Sequence, residues 1–237
     1  MKIVTLLFIV FSLPVICTSQ SLKPAFAHWL KTSEPSDLCA TNTAGEYVML
    51  SEKGSVYIIN DKGDILRESP FHGFDLEAVC TDGTNYLVSE ESFQQIHVLD
   101  GRTLELIRTV PMRHGGGRNE GVEAMVYLPE TGHFLLSTEK DPQFFMELDK
   151  DLRILQTFTI AGIKEVSALS IINKDLYVLS DENHSLYRVN LTARKIESTY
   201  DIPVINPEGL CELPEGKMMI VSDDMAKIFH FQIPAAQ

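Results

Sequence analysis

Three glutamates occupy equivalent places in a repeating sequence, and carboxylates gathered at one point have few chemical options. Glu77, Glu123 and Glu208 each stand second in a short unit: Leu76-Glu77-Ala78-Val79-Cys80, Val122-Glu123-Ala124-Met125-Val126 and Pro207-Glu208-Gly209-Leu210-Cys211. The unit returns twice with serine at the acidic place, as Pro35-Ser36-Asp37-Leu38-Cys39 and Val166-Ser167-Ala168-Leu169-Ser170. A second acidic pattern follows in every unit: Ser51-Glu52, Ser89-Glu90-Glu91, Ser137-Thr138-Glu139, Ser180-Asp181-Glu182 and Ser222-Asp223-Asp224. Ionised carboxylates crowded into a narrow space repel one another, so either their pKa values rise or a cation sits among them. An all-oxygen ligand set, with no histidine or cysteine, favours a hard ion such as Ca²⁺ over zinc. The competing reading is that these glutamates bond backbone amides, or stand too far apart to cooperate.

The elements that must position them follow from the period. From Ser36 to Glu77 is 41 residues, and the next steps, to Glu123, Ser167 and Glu208, are 46, 44 and 41. Each unit holds four short strand-like runs separated by turn signals such as Asp82-Gly83 and Asp100-Gly101. Four antiparallel strands in 40–45 residues is the pattern of a propeller blade. The expected fold is therefore all-β: a five-bladed β-propeller of four-stranded antiparallel blades. The fifth unit has only three strands, so an N-terminal strand at residues 26–31 is expected to close the ring against residues 228–232. In a blade the start of strand one and the end of strand two lie on the same face. Glu77, Glu123 and Glu208 then form an inner ring with Ser36 and Ser167, and Glu90, Glu139, Asp181 and Asp223 lie further out. The Asn119-Glu120-Gly121 segment, after Gly115-Gly116-Gly117, reads as a connection reaching the same mouth.

Composition narrows the function classes. The chain has 237 residues, 44% of them hydrophobic, and a net charge of −13. That charge disfavours nucleic acid and anionic membrane surfaces as partners. Lys2 precedes an apolar run over residues 3–16, then Cys17, Thr18 and Ser19. Residues 1–19 read as a secretory signal cut after Ser19, or as an N-terminal anchor, leaving residues 20–237 as one propeller domain. Export to the periplasm or cell envelope is expected, with membrane contact only through that N-terminal segment. Cys39, Cys80 and Cys211 share one repeat position and read as small buried inner-strand residues, with a Cys39–Cys211 bridge open if the first and last blades adjoin. No G-x-S-x-G elbow, phosphate loop, dinucleotide fingerprint or zinc spacing occurs.

Several motifs together resemble the SdiA-regulated (YjiK/CarP-like) family of bacterial envelope proteins. They are Asp75-Leu76-Glu77-Ala78, Asn119-Glu120-Gly121-Val122-Glu123-Ala124, Ser137-Thr138-Glu139-Lys140, Leu179-Ser180-Asp181-Glu182-Asn183 and Asn206-Pro207-Glu208-Gly209-Leu210. The resemblance implies a five-bladed propeller in the envelope with Ca²⁺ in its channel. It transfers a Ca²⁺ role to Glu77, Glu123 and Glu208, and to Asp181 and Asp223. The expected function is an exported calcium-binding module that binds or signals in the cell envelope, with a small molecule or an envelope protein as its partner. The alternative is a calcium-dependent hydrolase of phosphate (phytase-like) or other esters at the same mouth. Its general base would be Glu90, Glu139 or Asp223, and its cationic groups would come from Arg113, Arg118 and Lys140.

Overall fold

A computed structural model describes residues 20–112 and 121–233; the expected N-terminal signal or anchor and the Gly115-to-Glu120 segment lie outside them. The described residues form five sheets, antiparallel apart from one short edge strand. A two-residue strand, β1 (Gln20–Ser21), and β2 (Pro24–Trp29) come first. Blade 1 is β3 (Pro35–Ala40), β4 (Glu46–Ser51), β5 (Ser55–Asn60) and β6 (Ile65–His72). Blade 2 is β7 (Leu76–Thr81), β8 (Asn85–Glu90), β9 (Gln95–Asp100) and β10 (Leu106–Pro111). Blade 3 is β11 (Ala124–Leu128), β12 (His133–Ser137), β13 (Phe145–Leu148) and β14 (Ile154–Phe158). Blade 4 is β15 (Ala168–Ile172), β16 (Asp175–Ser180), β17 (Ser185–Asn190) and β18 (Lys195–Asp201), with β1 paired in parallel on its outer edge. Blade 5 is β19 (Pro207–Leu213), β20 (Lys217–Ser222) and β21 (Lys227–Gln232), completed by β2. The protein is thus a five-bladed β-propeller, and no helix among the described residues is long and apolar enough to cross a membrane.

Ring closure comes about as the three-stranded fifth unit requires. Strand β2 pairs antiparallel with β21, with Ala27 opposite Phe229 and Trp29 opposite Lys227. Inner strands β3, β7, β11, β15 and β19 touch in that order, and β19 returns to β3. Alternation of apolar residues along each strand gives two buried faces per blade, so the core divides into five seams, one between each pair of neighbours. Leu38 and Cys211 lie in the seam between blades 5 and 1, Cys39 borders the next seam, and Cys80 lies in the one after. The three cysteines are free thiols. Each points toward the following blade, so the side chain of Cys211 meets blade 1 while that of Cys39 turns away toward blade 2. Spatial adjacency of blades 5 and 1 is therefore not enough for a bridge, because the side-chain vectors run head to tail.

The seam between β19 and β3 is tight at one point. A methyl group on Gly209 would lie 2.8 Å from Asp37 Cα, 2.8 Å from a Leu38 methyl and 2.7 Å from a Val221 methyl. Gly209→Ala therefore forces two inner strands apart and is expected to cost about 1–3 kcal/mol. Urea unfolding followed by circular dichroism checks this, and an unchanged midpoint would contradict the packing described here.

Candidate metal centre

Strand one carries its acid on an irregularity. In blades 1, 2 and 5 the register slips between Pro35 and Leu38, Leu76 and Val79, and Pro207 and Gly209. Those slips contain Ser36, Glu77 and Glu208, the residues of the expected ring. A bulge re-aims a side chain out of the pleat, and here it delivers the carboxylate to the channel mouth. A repeated backbone link fixes the rim: the carbonyls of Glu34, Asp75 and Asn206 accept the amides of Glu52 (3.0 Å), Glu91 (2.9 Å) and Asp223 (3.2 Å). All three carbonyl residues hold left-handed φ values of 54°, 60° and 46°. Each stands two places before its ring residue. That position reads Glu34, Asp75, Gly121, Glu165 and Asn206 through the five units, a third repeating column that the sequence contains.

The mouth is a cavity of about 340 Å³ lined by ten carboxylates. Glu77, Glu123, Glu208 and Asp181 all line it. Asp223 does not, although its charge raises the pKa of both Glu52 and Glu208. The closest grouping differs from the expected Glu77–Glu123–Glu208 ring: one carboxylate oxygen each of Asp75, Glu77 and Glu91 lie within 4.8 Å of one another. Glu123 joins through a hydrogen bond with Glu91, whose carboxylate also accepts the Gly121 amide at 3.2 Å. A side chain at residue 121 would collide with Glu91 at 2.4 Å. Among the described residues no hydrogen-bond donor reaches the Glu77 carboxylate. Across the cavity, Glu165 accepts the hydroxyls of Ser180 and of Ser167, the latter at 2.8 Å. The Ser167 hydroxyl in turn accepts the Asp181 amide at 3.1 Å.

Besides Asp223, two further expected members of the mouth are placed elsewhere. Ser36 is buried and donates to the Leu76 carbonyl. Glu90 turns into blade 2, where it accepts the Phe74 amide at 2.7 Å, His97 Nε2 at 3.0 Å and the Gln95 amide. Three donors inside the blade hold that carboxylate, and the next residue, Glu91, takes the mouth position. Glu139 does reach the cavity, where Lys140 bridges it at 2.8 Å to Glu182 at 3.0 Å, linking blades 3 and 4. Lys140 is the one basic group lining the cavity among the described residues. Arg113 and Arg118 lie outside those residues. Asp75, Glu91, Glu52 and Glu165 were not assigned from the sequence.

Burial and mutual repulsion lift the titration of this set. Glu77 and Glu123 are pushed well above the usual carboxylate range, first by burial and then by neighbouring acids. Burial, reinforced by Asp181, Glu52 and Asp223, raises Glu208 to about 8. Burial and Asp223 raise Glu52 to about 7. Glu165, Glu91 and Asp181 also rise, each chiefly through burial.

A family model described as SdiA-regulated matches residues 41–223. This chain belongs to the SdiA-regulated family. No curated protein matches it. Among solved structures, the glutaminyl cyclase of Myxococcus xanthus is similar with a TM-score of 0.76 at 10% identity, over 92% of this chain and 99% of that one. The β-propeller domain of Myceliophteria thermophila Cps50 (Swd1) gives 0.55 at 10% identity, over 88% and 100%. The WD40 propeller domain of Doa1 gives 0.53 at 13% identity, over 81% and 62%. At such identities the likeness concerns the propeller fold alone.

Carboxyls raised in the folded state bind protons more tightly there than in the unfolded chain. Folding without a cation then takes up protons between about pH 4.5 and 8, so stability falls as pH rises through that window. In chelator the melting temperature is expected to drop from pH 5 to pH 8. Glu77→Gln should recover on the order of 1 kcal/mol at pH 8, because one repelling charge is gone. Scanning calorimetry across pH checks both, and a melting temperature that rises with pH in chelator would contradict them.

Proposed function

We propose that the acidic mouth binds Ca²⁺ and that the protein is an exported calcium-binding propeller acting as a binding or signalling module of the cell envelope. The observation that carries this reading is the Asp75–Glu77–Glu91 grouping, three carboxylate oxygens within 4.8 Å, with no donor to Glu77 among the described residues. The donor set fits a hard cation: every lining group that could ligate offers oxygen, save the single amine of Lys140. Asp75, Glu77 and Glu91 would hold the ion, with Glu123 exchanging its shared proton for it and Glu208 and Asp181 contributing charge. The ion would supply positive charge that offsets the repulsion among acids from several blades. For the ester-hydrolase alternative, Lys140 is spent on two carboxylates and leaves no free cationic partner for a phosphate among the described residues. The membership in the SdiA-regulated family and the secretory pattern of residues 1–19 support the envelope setting.

A cation that binds only the folded protein stabilises it by mass action, by about 2.7 kcal/mol at one hundred times its Kd. Adding Ca²⁺ to chelated protein at pH 7.5 is expected to raise the melting temperature by several degrees. Isothermal titration should show that Glu77→Gln and Asp75→Asn weaken binding at least about tenfold, the loss of one charged ligand. Asp223→Asn, outside the lining, should change it less than about threefold. Calcium-independent melting of the parent protein would end this reading.

A further inference from the structure

The face opposite the acidic mouth holds a second, chemically different cavity. It measures about 560 Å³ and lies where the ring is closed, between blade 5 and blade 1. The strand termini on that face converge there: the start of β2 and β4, the end of β21, and the turns after β5 and β19. Its size falls in the range of small-molecule sites. One wall is aromatic. The rings of Phe26 and His28 each stand edge-on to His230, at 6.3 and 5.9 Å between centroids. Phe26 is 66% exposed, an uncovered aromatic surface on the rim.

Some polar groups of this cavity are paired and some are not. Tyr47 is only 4% exposed and lines the cavity, yet its hydroxyl has no hydrogen-bond partner among the described residues. The phenol oxygen keeps access to solvent through the cavity, so its hydroxyl is free to bond a molecule that enters there. Burial, with Cys211 and Asp61 adding to it, holds that phenol up to about 12, so it remains a donor at neutral pH. His230 Nε2 donates to the Asp61 carbonyl at 2.6 Å, which leaves Nδ1 of the neutral ring as an acceptor. Lys217 and Glu215 neutralise each other at 2.7 Å. Asp61 and Lys62, adjacent on the same turn, form no ion pair among the described residues. The cavity therefore offers an aromatic wall, one acidic group, one basic group and an unpaired phenol.

We propose that this cavity is a binding site for a small aromatic zwitterion, a ring carrying both an ammonium and a carboxylate. The ring packs on Phe26, His28 and His230; the ammonium faces Asp61 and His230 Nδ1; the carboxylate takes Lys62 and the Tyr47 hydroxyl. The site is independent of the calcium reading of the mouth. Its test uses the full chain and L-phenylalanine as probe, read by isothermal titration and by emission of Trp29, the single tryptophan, on the same strand as Phe26. Saturable binding below about 5 mM is expected, with 2-phenylethylamine and 3-phenylpropionate each at least about tenfold weaker because one charged contact is missing. Tyr47→Phe and Phe26→Ala should each weaken it at least about fivefold, while Glu77→Gln and Ca²⁺ leave it unchanged. Phe26 is exposed, so its variant keeps the fold if Tyr47→Phe does not. Absence of saturation, equal affinity for the half-charged analogues, or loss of binding on Glu77→Gln would overturn the proposal, and none of these bears on the calcium melt.

Discussion

The fold depends on the demand that five inner strands run side by side in the same direction around one axis. That parallel arrangement sends the same end of each strand to the same face. Any residue type repeated at the strand start is thereby concentrated at one mouth, whatever its chemistry. With acids at that position the geometry produces like-charge crowding, and burial makes the crowding expensive. The raised carboxyls, the proton shared by Glu91 and Glu123 and the Lys140 bridge are all responses to this one constraint. A captured cation would be a further response of the same kind.

How far the sequence revealed this depends on which signals repeat. The blade count, the four-stranded unit and the closing strand were legible because hydrophobic alternation and turn residues recur at a nearly fixed period. The closing strand came out at Pro24–Trp29, two residues earlier than residues 26–31, a shift within the ordinary uncertainty of a strand end. Glu77, Glu123, Glu208 and Asp181 were placed in one cavity for the same reason. What period alone does not carry is side-chain direction at a strand terminus. Ser89-Glu90-Glu91 offers two adjacent acids, and only the three donors Phe74, Gln95 and His97 decide that Glu90 goes inward and Glu91 outward.

Asp75 and Glu165 illustrate a signal that was present and unread. They stand two residues ahead of Glu77 and Ser167, as Glu34 and Asn206 stand ahead of Ser36 and Glu208. The column is irregular in type, mixing acids, an amide and a glycine, so it does not announce itself as a motif. In blades 1, 2 and 5 its role is a backbone one, a carbonyl anchoring the strand-two end, whereas in blade 4 the Glu165 carboxylate accepts the Glu182 amide instead. The cysteines make the converse point. Their shared position correctly implied burial for Cys80 and Cys211, while Cys39 is only half-buried, and the same rotational symmetry that aligns them also aims every thiol at the next blade's flank.

Blade 5 takes three strands from one end of the sequence and its fourth from the other, so Trp29 meets Lys227 across about 200 intervening residues. During synthesis the other four sheets can assemble as they emerge, whereas this last sheet must wait for nearly the entire polypeptide. Glu208 and Gly209, on its inner strand, arrive with it. The chain's acid assembly is therefore complete only once the latest and most non-local part of the architecture has locked.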